Sequence, residues 1–402
     1  MATRMLGIVS VLMGSVGVMG ASTTALKPLD PVALQATVEA MGQKLLLPGA
    51  MVLLRTKQGD FAFGYGATEL GGTTKPRADT HFRIASNTKT MTAAVIVLLA
   101  QDGKLRFDDP VSKYISGVPN GDAITIGQLL KMRSGLPSYT ASPEIVDSLD
   151  HDPTRVWTPE ESLAIAFKHP PQFAPGAEYD YCNTNYVLLG LIAEKLEGAK
   201  LAQILQDRLF GPLGMTRTLL PASTSNTIPE PYAHGYLYGS SSYALADAPY
   251  PAELIAAAKA GTLKPNDVTD QNPSYALAAG GAVSTADDLA VWIRALVGGK
   301  VLDPDYQRQW LESLELEDPD KPGGAKYGYG ISQLSFGPNS VYFHGGEMPG
   351  YNSFMGYDPV NDVTLIVWTS LTVSLDGLPT ANSIMLQMLD QIYVVSPLQP
   401  KQ

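Results

Sequence analysis

The sequence predicts an α+β fold: an antiparallel sheet with helices packed on it, and beside it an all-helical lobe. Three observations predict it. Period-two apolar segments cluster towards the two ends of the chain, at 50–65 and 327–369. Residues from about 111 to 280 read instead as helices joined by long Pro- and Gly-rich connections. The links between the late strands are too short for crossovers, so those strands must be antiparallel neighbours. The blocks at about 26–110 and 281–402 are therefore assigned to the sheet lobe, and about 111–280 to the helical lobe. A site is expected in the cleft between them.

The first residues read as an export signal. Arg4 is the only charge before Lys27, and the apolar run from Met5 to Met19 is short for a membrane span. Val18-Met19-Gly20 or Thr23-Thr24-Ala25 offers small residues for cleavage, and no cysteine stands nearby to carry a lipid. A buried N-terminal helix is the alternative, for which the Gly and Ser content is poor. Residues 1–25 are thus expected to be a signal peptide, leaving a secreted or periplasmic protein without a stable membrane anchor.

Asp30 followed by Pro31 is an N-cap with a first-turn proline, opening a helix through Leu46 that Pro48-Gly49 ends. Ala50–Arg55 and Phe61–Tyr65 form a hairpin about Gln58-Gly59-Asp60. The next helix begins near Ser86 and stops at Gly103. In the middle lobe, helices are expected over Ile124–Met132, from the Thr158 cap with Pro159, over Asn185–Leu196 and over Leu201–Phe210. A capped amphipathic helix follows Ser284-Thr285 and runs to Leu296. Strands are expected at Tyr327–Leu334, Ser340–His344, Ser353–Tyr357 and Val363–Thr369, then a last helix over Thr380–Tyr393.

Composition narrows the function. The 402 residues are 45% hydrophobic and 17% charged, an ordinary globular balance. A net charge of −11 argues against nucleic acid or anionic membranes as partners. Cys182 is the only cysteine, and the five histidines lack metal spacing, so neither a disulfide, a metal nor another cofactor is expected. No obligate protein partner is evident.

Chemistry concentrates in three short arrays. Ser86 and Lys89 lie three residues apart at a helix start and so share a face. A desolvated lysine can take the serine proton, and the helix N-terminus offers N–H groups to an oxyanion. The same residues also suit a plain helix cap with a solvated lysine. Tyr181 and Asn183, on a loop before the Asn185 helix, could move a proton and hold a substrate carbonyl, or be a packed aromatic and a cap. His344, Gly345 and Gly346 end a strand, where the glycines would let a substrate backbone approach. Each array occurs once, in this order.

With that order and lobe layout, the chain resembles the penicillin-recognising serine hydrolases, in the branch of secreted DD-carboxypeptidases, class C β-lactamases and related esterases. Gly211-Pro-Leu-Gly-Met215, Gly280-Gly-Ala-Val-Ser-Thr285 and Tyr327-Gly-Tyr-Gly330 fit it as well, and the likeness runs from about Val32 to Tyr393. The resemblance implies a DD-peptidase/β-lactamase-like fold and an acyl-enzyme on Ser86, with Lys89 and Tyr181 moving protons. It implies an oxyanion hole from the backbone N–H groups of Ser86 and Glu347. Asn183 would hold the substrate amide, with His344, Gly345 and Gly346 as the third substrate-binding array.

Two positions depart from the pattern. Cys182 stands where relatives commonly carry serine, and His344 where class C β-lactamases carry lysine. A histidine is closer to the DD-carboxypeptidase and D-aminopeptidase pattern. The expected activity is a D-alanyl-D-alanine carboxypeptidase-like or D-amino-acid peptidase. The alternatives are an esterase or weak β-lactamase of the same fold, or a penicillin-binding sensor that acylates without turnover.

Overall fold

The structure, a computed structural model, describes residues 25–397. The expected signal peptide lies, but for residue 25, outside the described residues. An eight-stranded sheet forms the centre. Its strands are β1 (Gly49–Thr56), β2 (Gly59–Gly66), β3 (Glu315–Leu316), β4 (Lys326–Tyr327), β5 (Ser332–Phe336), β6 (Asn339–Met348), β7 (Tyr351–Asp358) and β8 (Val363–Thr369). They pair antiparallel in the order β2-β1-β8-β7-β6-β5-β4-β3. The two ends of the chain meet where β1 pairs with β8, Ala50 opposite Thr369 and Arg55 opposite Thr364.

Alternation along the strands sorts side chains to two cores. Ala50, Val52 and Leu54 of β1 face one way with Leu365 and Val367 of β8. That layer is covered by α1 (Pro31–Lys44) and by the C-terminal helix, Thr380–Ile392. Met51 and Leu53 face the other way with Ile366 and Trp368, whose ring stacks on Phe82 at 5.0 Å. This second layer contains α2 (Thr88–Gln101), α3 (Asn183–Glu197) and α4 (Ala286–Val297). Every residue of α2 from Thr88 to Val97 is buried. After Lys89 its sequence carries no charge, so it is apolar all round and suits a central helix.

The local signals explain most element starts. Asp30 Oδ1 accepts the Val32 N–H at 2.9 Å, Thr158 and Glu161 complete a capping box, and Thr285 Oγ1 accepts the Asp288 N–H. The hairpin turn is Lys57-Gln58, closed by the Thr56–Gly59 pair. Four expectations change. The Tyr327–Leu334 strand is broken, because Gly330 turns at φ +73 and its backbone lies against α2, where a Cβ would come within 2.4 Å of Ala93 Cβ. Next, β6 does not end at His344 but runs through both glycines to Met348. In addition, α3 starts at Asn183 rather than Asn185, with Cys182 in the N-cap position. Finally, the helical stretch holds one small ladder, Tyr236–Leu237 against Asn266–Asp267.

Candidate active site

The nucleophile turn is held from four sides. Phe82–Arg83 pairs with Val283–Ser284, and the Ile84 N–H donates to the Ala282 carbonyl at 3.1 Å. Ala85 then takes a left-handed backbone, φ +47, a conformation that costs a non-glycine residue about 1–2 kcal/mol. Asn87 Nδ2 donates to the Ile84 carbonyl at 3.1 Å and to Ser353 Oγ on β7 at 2.8 Å. Thr88 Oγ1 donates to the Ala85 carbonyl at 2.7 Å and accepts the Ala282 N–H at 3.1 Å. Ser86 therefore sits in a short 3₁₀ turn, Ala85–Asn87, at the head of α2.

One turn on, Lys89 is fully buried, with Nζ 2.9 Å from Ser86 Oγ. Nζ also donates to the Ala279 carbonyl at 2.6 Å and lies 4.9 Å from the centre of the Tyr181 ring. Burial drives its pKa well below the ordinary lysine value. A solvated lysine is thereby excluded, and a neutral amine with its lone pair beside a hydroxyl is a competent base. The Tyr181 hydroxyl is buried beside the Ser86 hydroxyl and has no other hydrogen-bond partner among the described residues. Burial raises its pKa far above the ordinary phenol value, and the nearby Ser86 hydroxyl offsets only part of that rise.

Asn183 lies in the first turn of α3, where its Nδ2 donates to Thr140 Oγ1 at 3.0 Å. Together with Ser86, the residues Tyr139, Thr140, Asn183, Tyr275 and Glu347 line a cavity between the sheet and the helical region. The backbone at Glu347 follows from strand register. Phe343 is the last residue of β6 paired with β5, opposite Ser332, while β6 continues against β7 to the Met348–Tyr351 pair. In an antiparallel ladder alternate residues direct their N–H to opposite sides. The residues that bond β5 are the odd-numbered ones, so the Glu347 N–H faces the edge β5 has vacated. Ser86 and Glu347 line the same cavity.

The third array lies within the sheet. His344 is buried, its Nδ1 donates to the Gly345 carbonyl at 2.6 Å, and its Nε2 accepts from Tyr327 Oη at 3.1 Å. The carbonyl has no proton to give, which fixes the proton on Nδ1. Burial, then the neighbouring Lys89, lowers the imidazole pKa to about 3. Both ring nitrogens are thus engaged inside the protein. Gly346 is held by close packing, since a Cβ there would fall 2.2 Å from the Ile84 carbonyl oxygen. Gly345 lies in the same strand opposite Phe354.

Sequence reasoning missed the Ala279 carbonyl, Thr140, Tyr275 and the hydrogen-bonding role of Tyr327. The first three come from distant segments and carry no local signature. Tyr327 stood in a quoted motif, but only the β4–β5–β6 pairing brings it to His344.

The architecture agrees with comparison to known proteins. A Streptomyces D-stereospecific amidohydrolase superposes with TM-score 0.75 at 28% identity, covering 89% of this chain and 98% of that one. The D-amino acid amidase of Ochrobactrum anthropi SV3, in complex with L-phenylalanine amide, gives TM-score 0.74 at 26% identity, covering 90% and 97%. Penicillin-binding protein 4* of Bacillus subtilis is 26% identical over 345 residues, 80% of this chain and 68% of that protein. Protein flp of Staphylococcus aureus strain MW2 is 36% identical over 186 residues, 44% of this chain and 35% of that protein, so the chain matches only about a third of that relative's length. The family model described as Beta-lactamase matches residues 34–387. That span takes in all three arrays and nearly every strand and helix described above, and the chain belongs to the Beta-lactamase family.

Proposed function

We propose that this protein is a secreted serine hydrolase that forms an acyl-enzyme on Ser86 and cleaves amide bonds at D-residues, in D-alanyl-D-alanine ends or other D-amino-acid peptides and amides. The observation that carries the reading is the dry Lys89 amine lying 2.9 Å from Ser86 Oγ. The likeness to the Streptomyces D-stereospecific amidohydrolase and the Ochrobactrum D-amino acid amidase supports the D-residue preference.

In the proposed reaction, Ser86 Oγ attacks the amide carbonyl while its proton passes to Lys89 Nζ. The carbonyl electron pair moves onto oxygen, where the N–H groups of Ser86 and Glu347 receive it. Collapse restores the carbonyl and breaks the C–N bond as the Tyr181 hydroxyl protonates the leaving nitrogen. The Lys89 ammonium then returns a proton to Tyr181. Water attacks the ester with its proton going to Lys89, and the C–Oγ bond breaks as Ser86 regains its proton. Asn183 holds the substrate amide. His344 and the glycines support this site from beneath, binding the nucleophile turn to β6.

Mass spectrometry of the purified protein after brief exposure to an acyl-D-Ala-D-Ala peptide, a D-amino-acid amide and a fluorescent penicillin tests the proposal. The expected result is an adduct on the Ser86 peptide and release of D-alanine or ammonia, both lost in Ser86→Ala. An adduct that survives Ser86→Ala would overturn the site. Rapid turnover of a short p-nitrophenyl ester with none of the amides would establish the esterase instead.

A further inference from the structure

A second cavity, of about 350 Å³, lies in the helical region and is lined by none of Ser86, Lys89, Tyr181 or Asn183. One side of it is α3. Val187, Gly190, Leu191 and Glu194 recur there at helical spacing, on a face that begins one turn after Asn183. Leu201 and Leu220 add to an apolar lining. The charged residues among those lining it, Glu194 and Lys200, pair at 3.3 Å, and Glu194 Oε1 also accepts the Leu201 N–H at 2.9 Å. The cavity therefore favours neither an anion nor a cation.

Ser162 shows what else a ligand would need. It is 1% exposed, stands at the head of the helix Pro159–Ala166 and lines the cavity. Its backbone N–H donates to the Thr158 carbonyl, while its hydroxyl has no hydrogen-bond partner among the described residues. A buried hydroxyl without a partner is costly, and a ligand oxygen in the cavity would satisfy it. At about 30 Å³ for each water-sized group, the space takes about a dozen heavy atoms.

The remaining wall is shared with the reacting site. Tyr275 lines both cavities, and Leu277 and Ala278 line this one. Those two belong to the short turn Leu277–Gly280, whose Ala279 carbonyl accepts from Lys89 Nζ at 2.6 Å. The Ala278 carbonyl accepts from Thr92 Oγ1 at 2.7 Å, so the turn is tied to α2 twice. Leu277 opens it at φ +20, a backbone uncommon for leucine. A turn held in that state depends on what packs against it, and one of its packing faces is the cavity.

We propose that this cavity binds an uncharged, largely apolar molecule of that size, whose one oxygen meets the Ser162 hydroxyl, and that its occupancy braces the turn holding Lys89. Filling the space against Leu277 and Ala278 favours the arrangement in which Ala279 keeps the amine beside Ser86, so occupancy speeds acylation. The binding stands apart from the function proposed above, and the rate effect rests on it.

The probes are 4-propylphenol and propylbenzene, which differ by one hydroxyl, titrated calorimetrically into the full chain. The phenol should bind with a dissociation constant below about 1 mM, and about 3- to 10-fold more tightly than propylbenzene. Ser162→Ala, which loses no hydrogen bond, should keep its Tm and bind the two compounds equally. Ala202→Trp, on the helix Leu201–Leu205 beside the cavity, should fill the space and abolish binding of both. Ser86→Ala should bind like the unmodified protein, which separates this cavity from the reacting one. Saturating 4-propylphenol should speed Ser86 labelling by a fluorophosphonate about fivefold, and leave the Ala202→Trp rate unchanged. No binding of either compound, or binding that Ala202→Trp leaves intact, would overturn the site. Equal affinities in the unmodified protein would overturn the role of Ser162, and binding without faster labelling would overturn the link to Lys89. A chain that binds the phenol but never labels at Ser86 would overturn the hydrolase reading and the link with it, and leave the binding site standing.

Discussion

Lys89 and His344 are two nitrogens buried in one site, and burial favours the neutral form of both. Their surroundings then separate them. Lys89 Nζ stands 2.9 Å from the hydroxyl whose proton it is to take, whereas the Nε2 lone pair of His344 is filled by the Tyr327 hydroxyl at 3.1 Å. Desolvation makes a base of either group, and the partner of the lone pair decides whether that base can act. Lys89 finds its partner one helical turn back, and His344 finds one two strands across the sheet. On this comparison Lys89 is the working base and His344 a fixed acceptor that steadies β6 beneath the nucleophile.

The sharpest way to break the comparison is to remove each nitrogen in turn. Lys89→Met should lower the acylation rate by about 10³- to 10⁴-fold, read by stopped-flow with a chromogenic substrate. The same change should raise Tm by a few degrees, because it relieves a buried amine. The pH dependence carries a definite sign. The folded pKa of Lys89 lies below the unfolded one, so at neutral pH the unfolded chain binds the extra proton. Stability from this group is complete only above the unfolded lysine value of about 10.4 and declines as pH falls towards the folded pKa. Activity should fall on the acid side as Lys89 protonates. A Lys89→Met protein that is both inactive and less stable would show the lysine to be structural.

Tyr181→Phe comes next in size. Beyond the Ser86 hydroxyl the phenol has no hydrogen-bond partner among the described residues, so its loss should change stability by no more than about 0.5 kcal/mol while slowing leaving-group departure by about 10²-fold. The two readouts together separate a proton carrier from a packed ring. His344→Gln should act more gently on turnover and mainly on acid stability. Its folded pKa of about 3 lies below the unfolded 6.5. Its contribution is therefore intact above about pH 6.5 and drains by about 1.4 kcal/mol per pH unit as pH falls towards 3. The difference in unfolding free energy between the two proteins should follow that slope. A large loss of kcat at neutral pH with no change in the slope would instead put His344 in the reaction.

The same contrast explains what could be read from the chain. Ser86 and Lys89 were legible because their geometry is local: three residues on one helix share a face whatever surrounds them. Caps such as Asp30, Thr158 and Thr285 were legible for the same reason. His344 was legible as a motif but not in its behaviour, because Tyr327 reaches it only through strand register. That Gly346 also packs against the Ile84 carbonyl could not be read from the motif, because that contact depends on the tertiary fold. The break in the Tyr327–Leu334 strand depended on where α2 lies, which no period-two pattern encodes.

Cys182 gives the smallest expected effect and the finest test of the comparison. It neighbours Tyr181 in sequence and is as deeply buried as Lys89, with Sγ donating to the Leu136 carbonyl at 3.1 Å. Burial acts on it by the same physics, favouring the uncharged form and pushing the thiol up to about 11. For an amine the uncharged form is the base, while for a thiol it is the unreactive one. Desolvation that arms Lys89 should therefore disarm Cys182. Iodoacetamide should leave the native protein unlabelled and label it fully in guanidinium, while Cys182→Ser, which keeps a donor for Leu136, should change stability by no more than about 1 kcal/mol and activity by about twofold or less. Rapid native labelling with loss of turnover would mean that the pocket around α3 is wet, and the neutral state assigned to Lys89 would fall with it.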